Sequence, residues 1–323
     1  MKLSVFNPVL GEMSFESAMQ YLAQCDVDAV EIGCGGYPGK AHCDPALLLE
    51  DEGALSTFKR VLKKNGLELA ALSAHGNPVH PDPEVAERFR QDFQNAVLLA
   101  EQLGVKRIVG FSGCPGGSPG DRTPNWVTCA WPDDYQKVLE YQWEQVLIPY
   151  WRSAAAFAAA HGVEKIALEM HPGFCVYNPE TLLRLRKAVG PLIGANFDPS
   201  HLFWQGCDPV ESIRKLGEAG AIYHFHAKDT KIDAANTAVN GVLDNKHYGD
   251  ALHRSWIFRS VGYGHDYQMW KDIISMLLKV GYDGPVSIEH EDALMSVNEG
   301  LQKAISLLKE VMVFEDKAEM WWA

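Results

Sequence analysis

Basic residues are scarce in this chain and nowhere clustered. Against 42 Asp and Glu stand 29 Lys and Arg, which leaves a formal charge of −13 over 323 residues. A surface that negative repels nucleic-acid phosphate, and no run of Lys and Arg supplies a local basic patch, so sequence-independent DNA binding is disfavoured. Cysteine pairs in CxxC spacing are also missing. The seven cysteines, Cys25, Cys34, Cys43, Cys114, Cys129, Cys175 and Cys207, are odd in number and scattered. A zinc ribbon or a disulfide scaffold therefore does not fit, and a reducing cytoplasm does. No apolar run reaches the roughly 18 residues of a membrane span. The opening Met1-Lys2-Leu3-Ser4-Val5-Phe6-Asn7-Pro8 is interrupted too soon to read as a signal peptide. Low-complexity tracts and short-period repeats are absent too. The expectation is a cytoplasmic protein with no nucleic-acid or membrane partner.

What is there is an ordinary globular composition, 47% hydrophobic and 22% charged, able to bury a large core. Strand-like apolar runs alternate with helix-like segments throughout. The strands read as Leu3–Phe6, Asp28–Gly33, Leu67–Ala74, Val105–Phe111, then runs ending at Glu169, Asp198 and His226, and finally Pro285–His290. Helices are expected between them, among them Gly53–Gly66, Pro83–Gly104 and Tyr135–His161. Eight βα units with no second hydrophobic core predict an α/β fold, a closed (β/α)8 TIM barrel formed by a single domain over residues 1–314. Two connections are long: Ser112 to Asp134 after strand four, and Lys228 to Asp266 after strand seven. Loops of that length are usually functional. A tail over 315–323 ends in Trp321-Trp322, which either docks on the body or a second subunit or stays exposed.

The chemistry concentrates at strand ends. Lys165-Ile166-Ala167-Leu168-Glu169-Met170-His171 is an apolar strand tipped with a carboxylate and an imidazole, and Pro172-Gly173 then breaks the chain. The strands before Asp198, through His226 and before Glu289 repeat the pattern. Parallel α/β folds gather such tips at one face, so Glu169, Asp198, His226 and Glu289 can meet. Three carboxylates and one imidazole suit a hard to borderline divalent ion. Mn2+ is the expected ion, with Mg2+, Co2+, Fe2+ and Zn2+ as the others compatible with the set. Any one acidic residue after a strand can instead cap the next helix; four in register weigh against that for the set.

Other residues on the predicted face leave two readings each. His75 is a substrate ligand or general base, or a histidine that only holds its loop. His171 shares the side of Glu169 in an extended strand and reads as a substrate contact or a support for the ligands. Glu31, near the end of strand two, can bind sugar hydroxyls or pair with a cation. Trp204 can stack on a sugar ring or fill the core. His224, one layer deeper than His226, reads as a core histidine. The pair Lys228-Asp229 reads as orienting His226 and the next loop. Gly113, Gly116 and Gly117 can receive phosphate on their N–H groups, a weak signal without a Walker lysine.

Leu168-Glu169-Met170-His171-Pro172, Asp198-Pro199-Ser200-His201, His224-Phe225-His226-Ala227-Lys228-Asp229 and Ser287-Ile288-Glu289-His290-Glu291 resemble the motifs of the xylose isomerase-like TIM barrels (the sugar phosphate isomerase/epimerase, AP endonuclease 2 family). The resemblance covers residues 1–314. It implies metal ligation by Glu169, Asp198, His226 and Glu289, and substrate contact by His201. It also implies a metal-dependent isomerase or epimerase that moves a proton through a metal-stabilised enediolate on a keto sugar or related polyol. Glu169 and Glu289 are the implied proton carriers, and His75 is a candidate additional base. One departure stands out. Ketose 3-epimerases of the family carry an arginine six residues after the metal histidine, and this chain has Ile232, with Arg254 and Arg259 as candidate replacements. The alternative implied is a metal-dependent lyase or dehydratase on 3-oxo-glycosides or inososes, acting by β-elimination as in C-glycoside deglycosidases. Endonuclease IV-like DNA repair, on a related barrel, conflicts with the acidic surface. A homo-oligomer or a small partner subunit would suit the long loops.

Overall fold

The computed structural model of the chain describes residues 1–315, 320 and 322. Seven strands, β1 (Lys2–Phe6), β2 (Ala29–Gly36), β3 (Glu68–His75), β4 (Arg107–Phe111), β5 (Lys165–Glu169), β6 (Ile193–Phe197) and β7 (Ile222–Ala227), precede a short extra pair, β8 (Asp229–Ile232) and β9 (Trp256–Arg259). The last strand is β10 (Pro285–Ile288). Eight of them close a parallel barrel in the order β1-β10-β7-β6-β5-β4-β3-β2. β8 and β9 form a separate antiparallel hairpin. Helices connect consecutive barrel strands, so the chain is a (β/α)8 barrel.

Local chemistry sets the boundaries. Ser14, Asp51, Asp82, Asp208, Asp266 and Ser296 each accept a backbone N–H at the start of a helix. This satisfies donors that a helix cannot satisfy itself. Alternation along the strands sorts the rest. Leu168 and Ile166 of β5 join the large apolar layer between barrel and helices, whereas Ala167 joins Ala71 and Val109 in a small apolar cluster inside the barrel. Above that plug the interior turns polar.

The structure departs from the sequence expectation in three places. β2 runs on to Gly36, three residues past the expected end at Gly33. Gly36 permits this because its φ is 70° and a Cβ there would sit 1.8 Å from the His75 carbonyl oxygen. The helix expected over Tyr135–His161 is a composite of Asp134–Glu140, a π-helical stretch Tyr141–Leu147, and Ile148–Ala160. In the π stretch, the Gln142 Nε2 amide donates to the carbonyls of Pro115, Gly116 and Asn125 and so pins the loop after β4. The connection after β7, expected without secondary structure, carries the β8–β9 hairpin and a short helix, Ala234–Asn240. Of the terminal tryptophans, Trp321 lies outside the described residues and Trp322 is exposed. Among the described residues no helix is long and apolar enough to cross a membrane.

Candidate active site

At the C-terminal mouth of the barrel, Glu169, Asp198, His226 and Glu289 each offer one ligand atom, and these atoms lie within 4.8 Å of one another. Each arrives by a simple device. Glu169 ends β5 and pairs in register with Phe111 and Asn196 on the flanking strands. Asp198 caps the helix Pro199–Gln205: Oδ1 accepts the Ser200 N–H at 2.8 Å, while Oδ2, buried, has no hydrogen-bond partner. Capping and ligation, alternatives in the sequence, are thus divided between the two oxygens of one side chain. His226 is near the end of β7, and its Nδ1 lies 3.1 Å from Glu289 and 3.4 Å from Glu169. Glu289 follows β10 and is 16% exposed, whereas Glu169, Asp198 and His226 are buried.

The field at this point is strongly negative. Burial works against a charged His226, yet Glu31 and Glu289 hold its pKa well above the usual imidazole range. Burial pushes the Asp198 carboxyl up to about 6, with the charges of Glu169 and Glu289 adding to that and His201 and Lys228 opposing it. Burial also raises Glu289, but Lys228 and His226 outweigh it and hold this carboxyl at about 2. Three converging carboxylates, one with an unpartnered buried oxygen, call for a cation. The donor set fits a divalent ion.

A second layer fixes the first. Glu31 is fully buried below His226 and accepts from Ser73 Oγ at 2.5 Å and Ser287 Oγ at 2.7 Å. His224 Nε2 and His226 Nε2 approach it at 2.8 and 2.9 Å. With Nε2 turned to Glu31, His226 presents Nδ1 to the cluster, a carboxylate–histidine arrangement that sets ring orientation and tautomer. This corrects the expectation that Glu31 reaches a substrate. The strand continues five residues beyond it, so Glu31 sits one layer down rather than at the tip. Asp229, expected to orient His226 and the following loop, holds the loop: it accepts the N–H groups of Gly262, Gly264 and His265 and the Trp270 indole, while Glu31 is the carboxylate set against His226 Nε2.

The remaining expected residues divide by position. His75 Nε2 is 3.1 Å from Glu169 Oε2, and His201 Nε2 is 3.0 Å from Glu169 Oε1 and 3.3 Å from Asp198. The His171 ring lies 4.0 Å from that of His201, and its Nδ1 meets the Pro172 carbonyl at 2.5 Å. Burial and the nearby His201 lower its pKa to about 3. Trp204 stacks on Trp256, centroids 4.6 Å apart. Arg259 is tied to the loop frame: its Nε donates to both oxygens of Asp292, at 3.1 and 3.0 Å. Arg254 is buried behind the loop, donating to the carbonyls of Trp256 and Lys246. The cation at the mouth is Lys228, 3.3 Å from Glu289 and 2.6 Å from Glu291. Its place two residues past His226, on the same side of an extended chain, was the signal for it.

Three cavities open around the cluster. The first, about 540 Å³, has Glu169, Glu289 and Lys228 in its wall with Phe111, Tyr248 and Phe258. The second, about 320 Å³, is reached past His75 and Glu289. The third, about 340 Å³, borders His171, His201 and Trp204. Tyr37, Tyr248 and Phe258 carry no periodic signal in the sequence; the folding of loops puts them here. Asp198 and His226 line none of the three.

Barrel and mouth together define a TIM barrel built around a carboxylate–imidazole cluster. Residues 19–311 match the model of the xylose isomerase-like TIM barrel family, and the chain belongs to that family. The uncharacterized protein YfiH of Bacillus subtilis is 41% identical over 314 residues, covering 97% of this chain and 99% of that protein. Among solved structures, a D-psicose 3-epimerase with D-tagatose from Clostridium cellulolyticum H10 matches at a TM-score of 0.62 and 16% identity, over 96% of this chain and 98% of the other. The protein described as the probable 3-DHS dehydratase AsbF, involved in petrobactin synthesis in Bacillus anthracis, matches at 0.64 and 18%, over 96% and 99%. At such identities these two likenesses speak for the fold alone.

Proposed function

We propose that the protein is a divalent-metal-dependent enzyme that transfers a proton next to a carbonyl, isomerising or epimerising a keto sugar or related polyol. The observation that carries the reading is the division of the cluster. Glu169 and Glu289 line the first cavity, whereas Asp198 and His226 do not, so two glutamates reach a substrate while the other two groups only hold. A divalent ion bound by the four would polarise a substrate carbonyl and increase the acidity of the adjacent C–H. Glu169, fixed by Asn196, His75 and His201, is placed to take a proton from one side, and Glu289 to return one from the other. Return to the neighbouring carbon isomerises; return to the opposite face of the same carbon epimerises. Membership of the xylose isomerase-like TIM barrel family supports this reading.

A specific observation favours a second outcome, β-elimination from a 3-oxo-glycoside or inosose. The buried Lys228 ammonium lines the same cavity beside Glu289, where it can donate a hydrogen bond to a departing oxygen. One experiment tests both. Mn2+-loaded protein is incubated in D2O with free ketoses and with 3-oxo-glucosides and followed by NMR. Deuterium entering the ketose with product formation supports the first outcome, and aglycone release the second. Neither in the wild type, or undiminished exchange in Glu169→Gln, overturns the proposal.

A further inference from the structure

The third cavity is walled by three indoles that the chemistry above does not use. Trp204 and Trp256 are stacked with planes 6° apart, Tyr248 meets Trp256 edge-on at 6.0 Å, and Trp126, also in the wall, is braced edge-on against Tyr177. Two long connections converge to make it: Trp126 and Thr128 come from the loop after β4, and Asp244, Asn245, Tyr248 and Trp256 from the segment after β7. Both are tied down. Gln142 holds the first loop. In the second, the Trp256 indole N–H donates to Val242 O at 2.9 Å, Asp244 accepts the Ser255 N–H at 2.6 Å, and the buried Arg254 guanidinium stacks on Tyr248 and Trp256 at 4.4 and 4.7 Å. A chamber whose wall is braced this way is preorganised rather than collapsed loop.

Its placement gives it a role. His171 and His201 belong to its floor, and His201 Nε2 is hydrogen-bonding distance from Glu169. His171 and Tyr248 border both this chamber and the first cavity. A ring bound at the carboxylates therefore has a neighbour position one imidazole away. The chamber's chemistry is also particular. Flat indole faces favour the apolar faces of rings. Thr128 and Asn245 add polar groups at the exposed rim. Aromatic walls with a polar rim match a flat-faced ring that carries oxygen groups at its edge.

We infer that the indole chamber is a subsite for the ring-shaped aglycone of a glycoside, so that the physiological substrate is a glycoside carrying a second ring rather than a free monosaccharide. The inference deepens the proposed function and rests on the reacting sugar sitting at Glu169 and Glu289. It accounts for the length of both loops, which a monosaccharide site does not require. The shared chemistry is a stacking ring with oxygen acceptors; a pyranose and an aromatic ring both supply it.

The test is equilibrium binding by titration calorimetry to the Mn2+-loaded protein, with methyl β-cellobioside, phenyl β-D-glucopyranoside and methyl β-D-glucopyranoside as probes that carry no free carbonyl. At least one of the first two is expected to bind about tenfold more tightly than methyl β-D-glucopyranoside, the gain that one or two aromatic contacts give. Preference for the cellobioside identifies a sugar ring, and preference for the phenyl glucoside an aromatic one. Thr128→Trp and Asn245→Trp, at exposed loop positions, fill the chamber without disturbing the core and are expected to bring the ratio to about one. Equal affinity for all three probes, or a ratio unchanged in both filling variants, overturns the inference. Deuterium exchange on free ketoses, run in parallel, separates the two claims. Exchange without ring preference sinks the subsite and keeps the proton-transfer reading. Ring preference without exchange on any keto compound keeps the subsite and sinks that reading.

Discussion

The carboxylates at the barrel mouth and those in the frame around it live under opposite conditions. In the frame, Asp229 accepts six hydrogen bonds, from Thr230, Gly262, Gly264, the backbone N–H and the ring Nδ1 of His265, and Trp270. Asp292 is likewise filled by Arg259, Ser260 and Leu294. At the mouth the neighbours are chiefly imidazoles and other carboxylates, and Asp198 Oδ2 accepts no hydrogen bond, with only the His201 imidazole near it at 3.3 Å. Buried acids are affordable when N–H groups saturate them. An acid buried with open acceptor positions is held for something else, here a cation and a substrate. Net acidity therefore says little about function; the degree of satisfaction of each carboxylate says much.

The sharpest way to break this contrast is to change one member of each region. Glu169→Gln keeps shape and removes a base, and a loss of about 10²–10⁴-fold in kcat is expected, with little change in the unfolding midpoint; steady-state rates beside thermal melts check it. Asp229→Ala should do the reverse. It strands buried N–H donors and should cost about 3–5 kcal/mol in urea unfolding, while residual activity at low temperature stays measurable. If Asp229→Ala proves neutral in stability, the frame is not what it is described to be.

Chelation separates the regions a second way. Stripping the metal should remove about 2.7 kcal/mol of stability when the free ion stands at 100 times its Kd, and the Asp198→Asn variant should lose most of that response. Glu31→Gln probes the layer between the regions. It removes the charge that turns His226 Nδ1 towards the cluster, and metal affinity should weaken about 10–100-fold in competition with a chromogenic chelator.

The smallest effect belongs to Asp292. Burial raises its carboxyl, but the Ser260 and Leu294 N–H groups and the Arg259 guanidinium more than offset this, so its folded pKa is lowered. A depressed folded pKa contributes stability that is present above the unfolded value of about 3.9 and is lost as pH falls through the folded value. Asp292→Asn should therefore be less stable than wild type by about 1 kcal/mol near neutrality, and the gap should close in acid. A gap that widens in acid would contradict the assignment.

Much of this was legible before any coordinates. Eight alternating units give a closed barrel because parallel strands need crossover helices and their right-handed connection leaves few other solutions. Glu169, Asp198, His226 and Glu289 were readable because a strand tip in such a barrel has only one place to point. Other features were not. Glu31 was expected at a tip, and the pair Lys228-Asp229 was read as orienting His226 and the next loop. Yet β2 carries Glu31 below the mouth, and alternation sends Lys228 inward to Glu289 while Asp229 turns out to the frame. Arg259 was a candidate substrate contact until Asp292, 33 residues away, proved to hold it.

What the sequence determined by itself was periodicity and its consequences: the barrel, its polar end, and the four side chains delivered there by their strands. What tertiary structure decided was everything set by contacts between segments distant in the chain. That includes which acid is saturated and which is open, which cation faces the cavity, and the meeting of Trp126 with Trp204 and Trp256 around one chamber. The physical reason is that strand and helix patterns are written in neighbouring residues, whereas satisfaction of a buried charge and the shape of a cavity depend on partners that only closure of the barrel brings within reach.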